Sequence, residues 1–105
     1  MEFNKLVRDN IPAIIEAQGE TPVTRILEDG EYRRCLERKL DEEVAEFHES
    51  GSLEELADIL EVVFALAEAD GHSKEELMAA YQTKRDARGG FSKKIFLISK
   101  QAKTT

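Results

Sequence analysis

A chain of 105 residues has the size of one domain, and 41% apolar residues suffice only for a small core, so any wide apolar helix face needs added cover. The formal charge of −7 argues against general nucleic-acid binding, and no uninterrupted apolar run approaches the roughly 18 residues of a membrane span. A lone cysteine, Cys35, excludes an internal disulfide, a thiolate metal cluster and a dithiol redox pair. The expectation is one domain over residues 1–105, soluble and cytoplasmic, with no membrane or nucleic-acid partner, assembled as a homodimer or homotetramer.

The first predicted element is a short helix capped by Asp9 or Asn10, with Pro12 in its opening turn, Ile11, Ile14 and Ile15 as its apolar stripe, and Gly19 as its end. Thr24 to Leu27 leans towards a strand, and Asp29-Gly30 after it favours a turn. From Glu31 to about Ser50 there is no Gly or Pro, and Leu36, Leu40, Val44 and Phe47 recur at helical spacing before Gly51. Ser52 with Glu55 has the capping-box spacing and opens a second long helix to about Asp70. Ser73 with Glu76 repeats that signature for a helix through about Ala87, before Gly89-Gly90. Ile95 to Ile98 reads as a second strand, and an antiparallel ribbon between the two strands would satisfy edges that neither satisfies alone. The expected fold is mainly α: a helical bundle with a small two-stranded β element.

Glu43 falls on the same narrow stripe as Leu36, Leu40 and Phe47, which puts a carboxylate at a core position. An unpaired buried charge costs several kcal/mol, so Glu43 must be protonated, paired with a base or bound to a cation. Glu46 lies one turn further on. In the second long helix, Leu53, Leu56, Ala57, Leu60, Val63, Phe64 and Ala67 make one apolar face, and Ile59, Val62, Ala65, Leu66 and Ala69 make another. Glu55 and Asp58 sit at the amino-terminal end of that second face, leaving Glu54, Glu61 and Glu68 as a solvated edge. Four carboxylates on two neighbouring helices, Glu43, Glu46, Glu55 and Asp58, offer the hard oxygen ligands that suit Mg²⁺ or Mn²⁺. The plainer reading leaves these acids solvated, with Glu55 serving its helix cap.

Residues after Gly71 carry eight Lys or Arg against Glu75, Glu76 and Asp86, so a basic end follows an acidic centre. Leu77 and Tyr81 form a stripe that Lys84 and Arg88 continue, which makes Lys84, Arg88 and Lys93 candidate phosphate ligands. Charge complementarity at a helix carboxyl end, with the stems of Lys84 and Arg88 covering Leu77 and Tyr81, accounts equally for the first two. Cys35 reads as a small, partly buried side chain, and His48 and His72 read as surface residues.

Together the acids form E-x-x-E at Glu43-Val44-Ala45-Glu46 and E-x-x-D at Glu55-Leu56-Ala57-Asp58, followed by the apolar run Ile59-Leu60-Glu61-Val62-Val63. This double motif resembles the all-α nucleotide pyrophosphohydrolases, which include MazG-like proteins, dimeric dUTPases and phosphoribosyl-ATP pyrophosphohydrolase. The opening Lys5-Leu6-Val7-Arg8-Asp9-Asn10-Ile11-Pro12 and the closing Arg88-Gly89-Gly90-Phe91 look like a small phosphoribosyl-ATP pyrophosphohydrolase-like branch. The gap between Glu46 and Glu55 is shorter than in typical MazG proteins, leaving less room for a base-recognising segment.

The resemblance implies Mg²⁺-dependent cleavage of the α–β phosphate bond of a nucleoside triphosphate or related nucleotide, giving a monophosphate and pyrophosphate. It assigns Glu43, Glu46 and Asp58 as metal ligands and Glu55 as a fourth ligand or as the base that orients water. It also adds Lys5, Arg8 and Asp9 as candidates for binding substrate, with capping the plainer role for Asp9. The competing expectation is a non-catalytic helical module, for oligomerisation or regulation, that dimerises through the face bearing Val62 and Leu66.

Overall fold

The computed structural model describes residues 3–103, which form four helices: α1 (Ile11–Ala17), α2 (Asp29–Ser50), α3 (Leu53–Ala69) and α4 (Lys74–Arg88). The fold is mainly α. Helices α2 and α3 are joined by Gly51 and Ser52 alone, so they run antiparallel as a tight hairpin. Gly51 makes that reversal possible because its φ is +63°, in the left-handed region where a side chain is strained, while its N–H bonds Phe47 O at 2.8 Å.

The hairpin holds the buried apolar residues found among the described positions, Leu36 of α2 and Val62 of α3. Val62 is 7% exposed, so the α3 face expected to pair two copies is turned inward in this chain. The opposite edge, Leu53, Leu56 and Leu60, is the one left in solvent. Arg33 near the start of α2 ties the hairpin's open end by donating to both carboxylate oxygens of Asp70, at 2.7 and 3.1 Å. Helix α4 meets α3 at its first turns, where Lys74 Nζ lies 4.6 Å from the Phe64 ring centre and Leu77 is half-buried. Beyond Leu77 every residue of α4 is exposed.

Two expectations change. Asp29-Gly30 is not a turn before the helix but its first turn. Glu28 takes the extended N-cap conformation, its carbonyl accepts from Tyr32 N at 2.8 Å, and Asp29 and Glu31 place negative charge at the positive end of the helix dipole. Arg25 then clamps Glu31 through two hydrogen bonds of 3.0 and 2.7 Å. The other change is the β ribbon: no strand forms among the described residues. Thr24–Leu27 and Ile95–Ile98 lack regular structure, and apart from the half-buried Leu27 they stand in solvent, with Ile26 95% and Ile98 89% exposed. An isolated two-stranded ribbon is marginal in water, and neither segment has a packed face to support one.

Candidate metal centre

The hairpin turn sets the site. Antiparallel packing brings the carboxyl-terminal half of α2 beside the first two turns of α3, and therefore Glu43 beside Glu55 and Asp58. Carboxylate oxygens of these three residues lie within 4.8 Å of one another, as do those of Glu42, Glu43 and Glu46. Two oxygens bonded to one Mg²⁺ or Ca²⁺ at about 2.0–2.6 Å lie no more than about 4–5 Å apart, so this spacing suits one divalent cation.

Glu43 is 6% exposed, as its place on the apolar stripe of α2 requires. Lys39, one turn earlier, reaches Glu43 Oε1 at 3.3 Å and Glu42 Oε1 at 3.4 Å. The other oxygen, Glu43 Oε2, is buried and has no hydrogen-bond partner, and the same is true of Glu55 Oε2. Burial pushes the Glu43 carboxyl above the ordinary glutamate range; Lys39 opposes the shift and the charge of Glu46 adds to it. Glu55 is likewise raised, by desolvation first and then by Glu46, Asp58 and Glu43. Crowded carboxylates with two orphaned oxygens and an oxygen-only donor set fit a hard divalent cation, whose charge would relieve both the repulsion and the unmet hydrogen bonding.

Glu55 is freed for this role by a local rearrangement of its helix cap. Ser52 Oγ accepts from Glu55 N at 3.4 Å, but Glu55 makes no return bond, because Ser52 N donates instead to Ser50 Oγ at 3.2 Å. At α4 the same signature closes fully: Glu76 Oε1 accepts from Ser73 N at 3.2 Å and Ser73 Oγ from Glu76 N at 3.0 Å. Glu76 is therefore held by its cap, and Glu55 is not.

Of the cations named from sequence, those of the amino-terminal segment reach the acids. Arg8 Nη2 donates to Asp58 Oδ1 at 2.6 Å, and Lys5 Nζ lies 3.6 Å from Glu42 Oε1. Asp9 and Asn10 precede α1, and Asn10 is its N-cap residue, but its side chain makes no capping bond. Lys84 and Arg88 are on the exposed part of α4 and Lys93 follows it; none joins the ion pairs of the acidic cluster. Arg88 and Lys93 instead line a shallow open recess with Phe91 and Ile95. Cys35 is free and half-buried, His48 stacks edge-on against Phe47, and His72 Nδ1 lies 3.4 Å from Glu76.

No family model matches the chain, and no solved structure is significantly similar to it. An uncharacterised protein of Mycolicibacterium smegmatis is 62% identical over 42 residues. The match covers 40% of this chain and 43% of that relative's length. No activity passes from it to this chain, so the function rests on the site.

Three residues beside the acids were not singled out as part of the site from sequence: Lys39, Glu42 and Ser50. Lys39 was findable, since it precedes Glu43 by four positions and so shares its face of the helix. Ser50 carried no such signal, because its role depends on which acceptor the Ser52 N–H selects.

Proposed function

We propose that the chain is a divalent-cation-dependent nucleotide pyrophosphohydrolase of the all-α type, acting at the α–β phosphate bond of a nucleoside triphosphate or related nucleotide. The observation that carries this reading is the buried Glu43, with an unpartnered oxygen, in one cluster with Glu55 and Asp58. The double acidic motif and its resemblance to that family support the choice of reaction. Glu43, Glu55 and Asp58, with Glu46 beside Glu43, would hold Mg²⁺, which when bound would neutralise phosphate charge and polarise the bond to be cut.

The residues divide the remaining work. Glu55, with its raised affinity for a proton, is suited to take one from the attacking water, as a general base does best when its pKa approaches the working pH. Water adds to the α-phosphorus, the α–β bridging P–O bond breaks, and pyrophosphate leaves with the electron pair. Arg8 and Lys5 stand beside the acids as donors for phosphate oxygens, with no covalent intermediate on the protein. The test is pyrophosphate release from a panel of canonical, deoxy and damaged nucleotides with Mg²⁺, alongside calorimetry with Mg²⁺ and Mn²⁺. Turnover with metal binding is expected; absence of both would overturn the reading.

A second reading, a helical module without catalysis, draws on the exposed Leu53, Leu56 and Leu60 edge. Under it Asp58→Asn would leave every function intact. Under the enzymatic reading that variant stays folded and loses turnover.

A further inference from the structure

Two apolar surfaces lie uncovered outside the acidic cluster. One is the segment after α4, where Phe91, Ile95, Phe96, Leu97 and Ile98 are all exposed. The other is the Leu53, Leu56 and Leu60 edge of α3. Exposed apolar patches of this kind mark interaction sites.

The missing cover is large. The chain exposes 9658 Å², whereas a compact monomer of its 11.9 kDa would expose about 5,950 Å². The excess of about 3,700 Å² is more than the roughly 800 Å² that each partner hides in a standard interface, and more than most obligate dimers hide per chain. The radius of gyration tells the same story, at 19.2 Å against about 13 Å for a compact domain of this length.

Charge identifies the occupant. The apolar run at 95–98 is flanked by Lys93 and Lys94 on one side and by Lys100 and Lys103 on the other. The α3 edge is flanked by Glu54 and Glu61, exposed and about a quarter-turn round the helix from Leu53 and Leu60. Both halves of this complementary pair belong to the same chain, so two copies satisfy each other reciprocally, as an isologous interface requires.

We propose that residues 91–98 are an exchange arm that lies along the Leu53, Leu56 and Leu60 edge of α3 in a second copy of this chain, whose own arm returns the contact. The assembly itself does not depend on the reaction proposed above.

Sedimentation velocity on the full chain, from low to high micromolar concentration, tests this. Wild type is expected to sediment as a dimer or a multiple of one. The double variants Phe96→Glu/Ile98→Glu and Leu56→Glu/Leu60→Glu should each dissociate to monomers, with circular dichroism reporting that the helices persist. A charge exchange guards against variants that simply misfold. Lys93→Glu/Lys94→Glu and Glu54→Lys/Glu61→Lys should each assemble at least about 10-fold more weakly alone, and an equimolar mixture should recover wild-type association, since both contacts are then restored. A monomeric wild type, arm variants of unchanged mass, or a mixture that fails to recover would overturn the proposal. Loss of assembly from the arm variants alone would also overturn it, by placing the arm on another surface.

Discussion

The guanidinium of Arg8 donates a 2.6 Å hydrogen bond to Asp58 Oδ1, joining the segment before α1 to the second turn of α3 across 50 positions of sequence. Both side chains are substantially exposed, at 54% and 38%, so the pair contributes about 1 kcal/mol or less and is readily exchanged for other partners. Arg8 thus occupies a carboxylate that a divalent cation would claim, and it lies where a phosphate would draw it away. Arg8→Ala should strengthen Mn²⁺ binding about 3- to 10-fold, because a competing positive charge is gone, while weakening nucleotide binding. Calorimetric titration with Mn²⁺, then with a non-hydrolysable nucleotide, measures the two effects separately. Weaker binding of both ligands would mean instead that Arg8 holds Asp58 in place.

Glu43 and Asp58 should separate stability from metal binding. The folded protein binds a proton at Glu43 more readily than the unfolded chain does, so the charged form opposes folding above both pKa values. Glu43→Gln should therefore stabilise the metal-free protein at neutral pH, by about 1 kcal/mol or roughly 5 °C, with the gain closing as pH falls below the ordinary glutamate range. Asp58→Asn, at a half-buried position, should change the metal-free melting temperature little. Mg²⁺ should raise the melting temperature of the wild type, and both variants should lose that rise. Melting curves with and without Mg²⁺ across pH decide the matter.

The helices were legible because each is punctuated locally: Gly51 after α2, Ser52 before α3, and Ser73 with Glu76 before α4. The buried Glu43 was legible too, since a helix of fixed pitch places it with Leu36 whatever else the chain does. What local pattern could not supply was the choice among equal partners. Asp29-Gly30 suits a turn or a first helical turn, and contacts from outside the dipeptide, such as Arg25 to Glu31, accompany the second. Thr24–Leu27 and Ile95–Ile98 have strand-forming residues, but strands need a partner ladder, and none forms among the described residues. The inward turn of Val62 rather than Leu56 had the same origin: α3 is apolar on two sides, and only packing against α2 decides between them.

Acid should reach the site before it loosens the open end of the hairpin, because the Glu43 and Glu55 carboxyls are raised and that of Asp70 is lowered. Hydrogen bonds from Arg33 hold the Asp70 carboxyl below the ordinary aspartate value of 3.8. A group lowered in the folded state contributes stability that is fully present above its unfolded pKa and is lost as pH falls through its folded pKa. Asp70→Asn should accordingly lower the melting temperature at neutral pH, and the gap from wild type should shrink as pH falls below the ordinary aspartate range and the folded carboxyl takes up its proton. A gap that stays constant with pH would place the effect in packing rather than in the ion pair.

Ser50 should control whether Glu55 belongs to the cap or to the site. In the wild type, the Ser52 N–H is satisfied by Ser50 Oγ at 3.2 Å, leaving Glu55 Oε2 buried and unpartnered beside Glu43 and Asp58. Without that hydroxyl, Ser52 N would need another acceptor. The nearest precedent in the same chain is Glu76, which accepts from Ser73 N at 3.2 Å in a complete capping box. Ser50→Ala should let Glu55 close its box in the same way, so helix stability changes by less than about 1 kcal/mol, one cap bond replacing another. Metal affinity should fall by about 10-fold, the scale on which partners outside the ligand shell act. Ser50→Thr keeps the acceptor oxygen and should retain the affinity. Mn²⁺ titration of the two variants beside Glu55→Gln separates the cases. If Ser50→Ala binds Mn²⁺ as wild type does while Glu55→Gln does not, Glu55 holds its place without the help of Ser50.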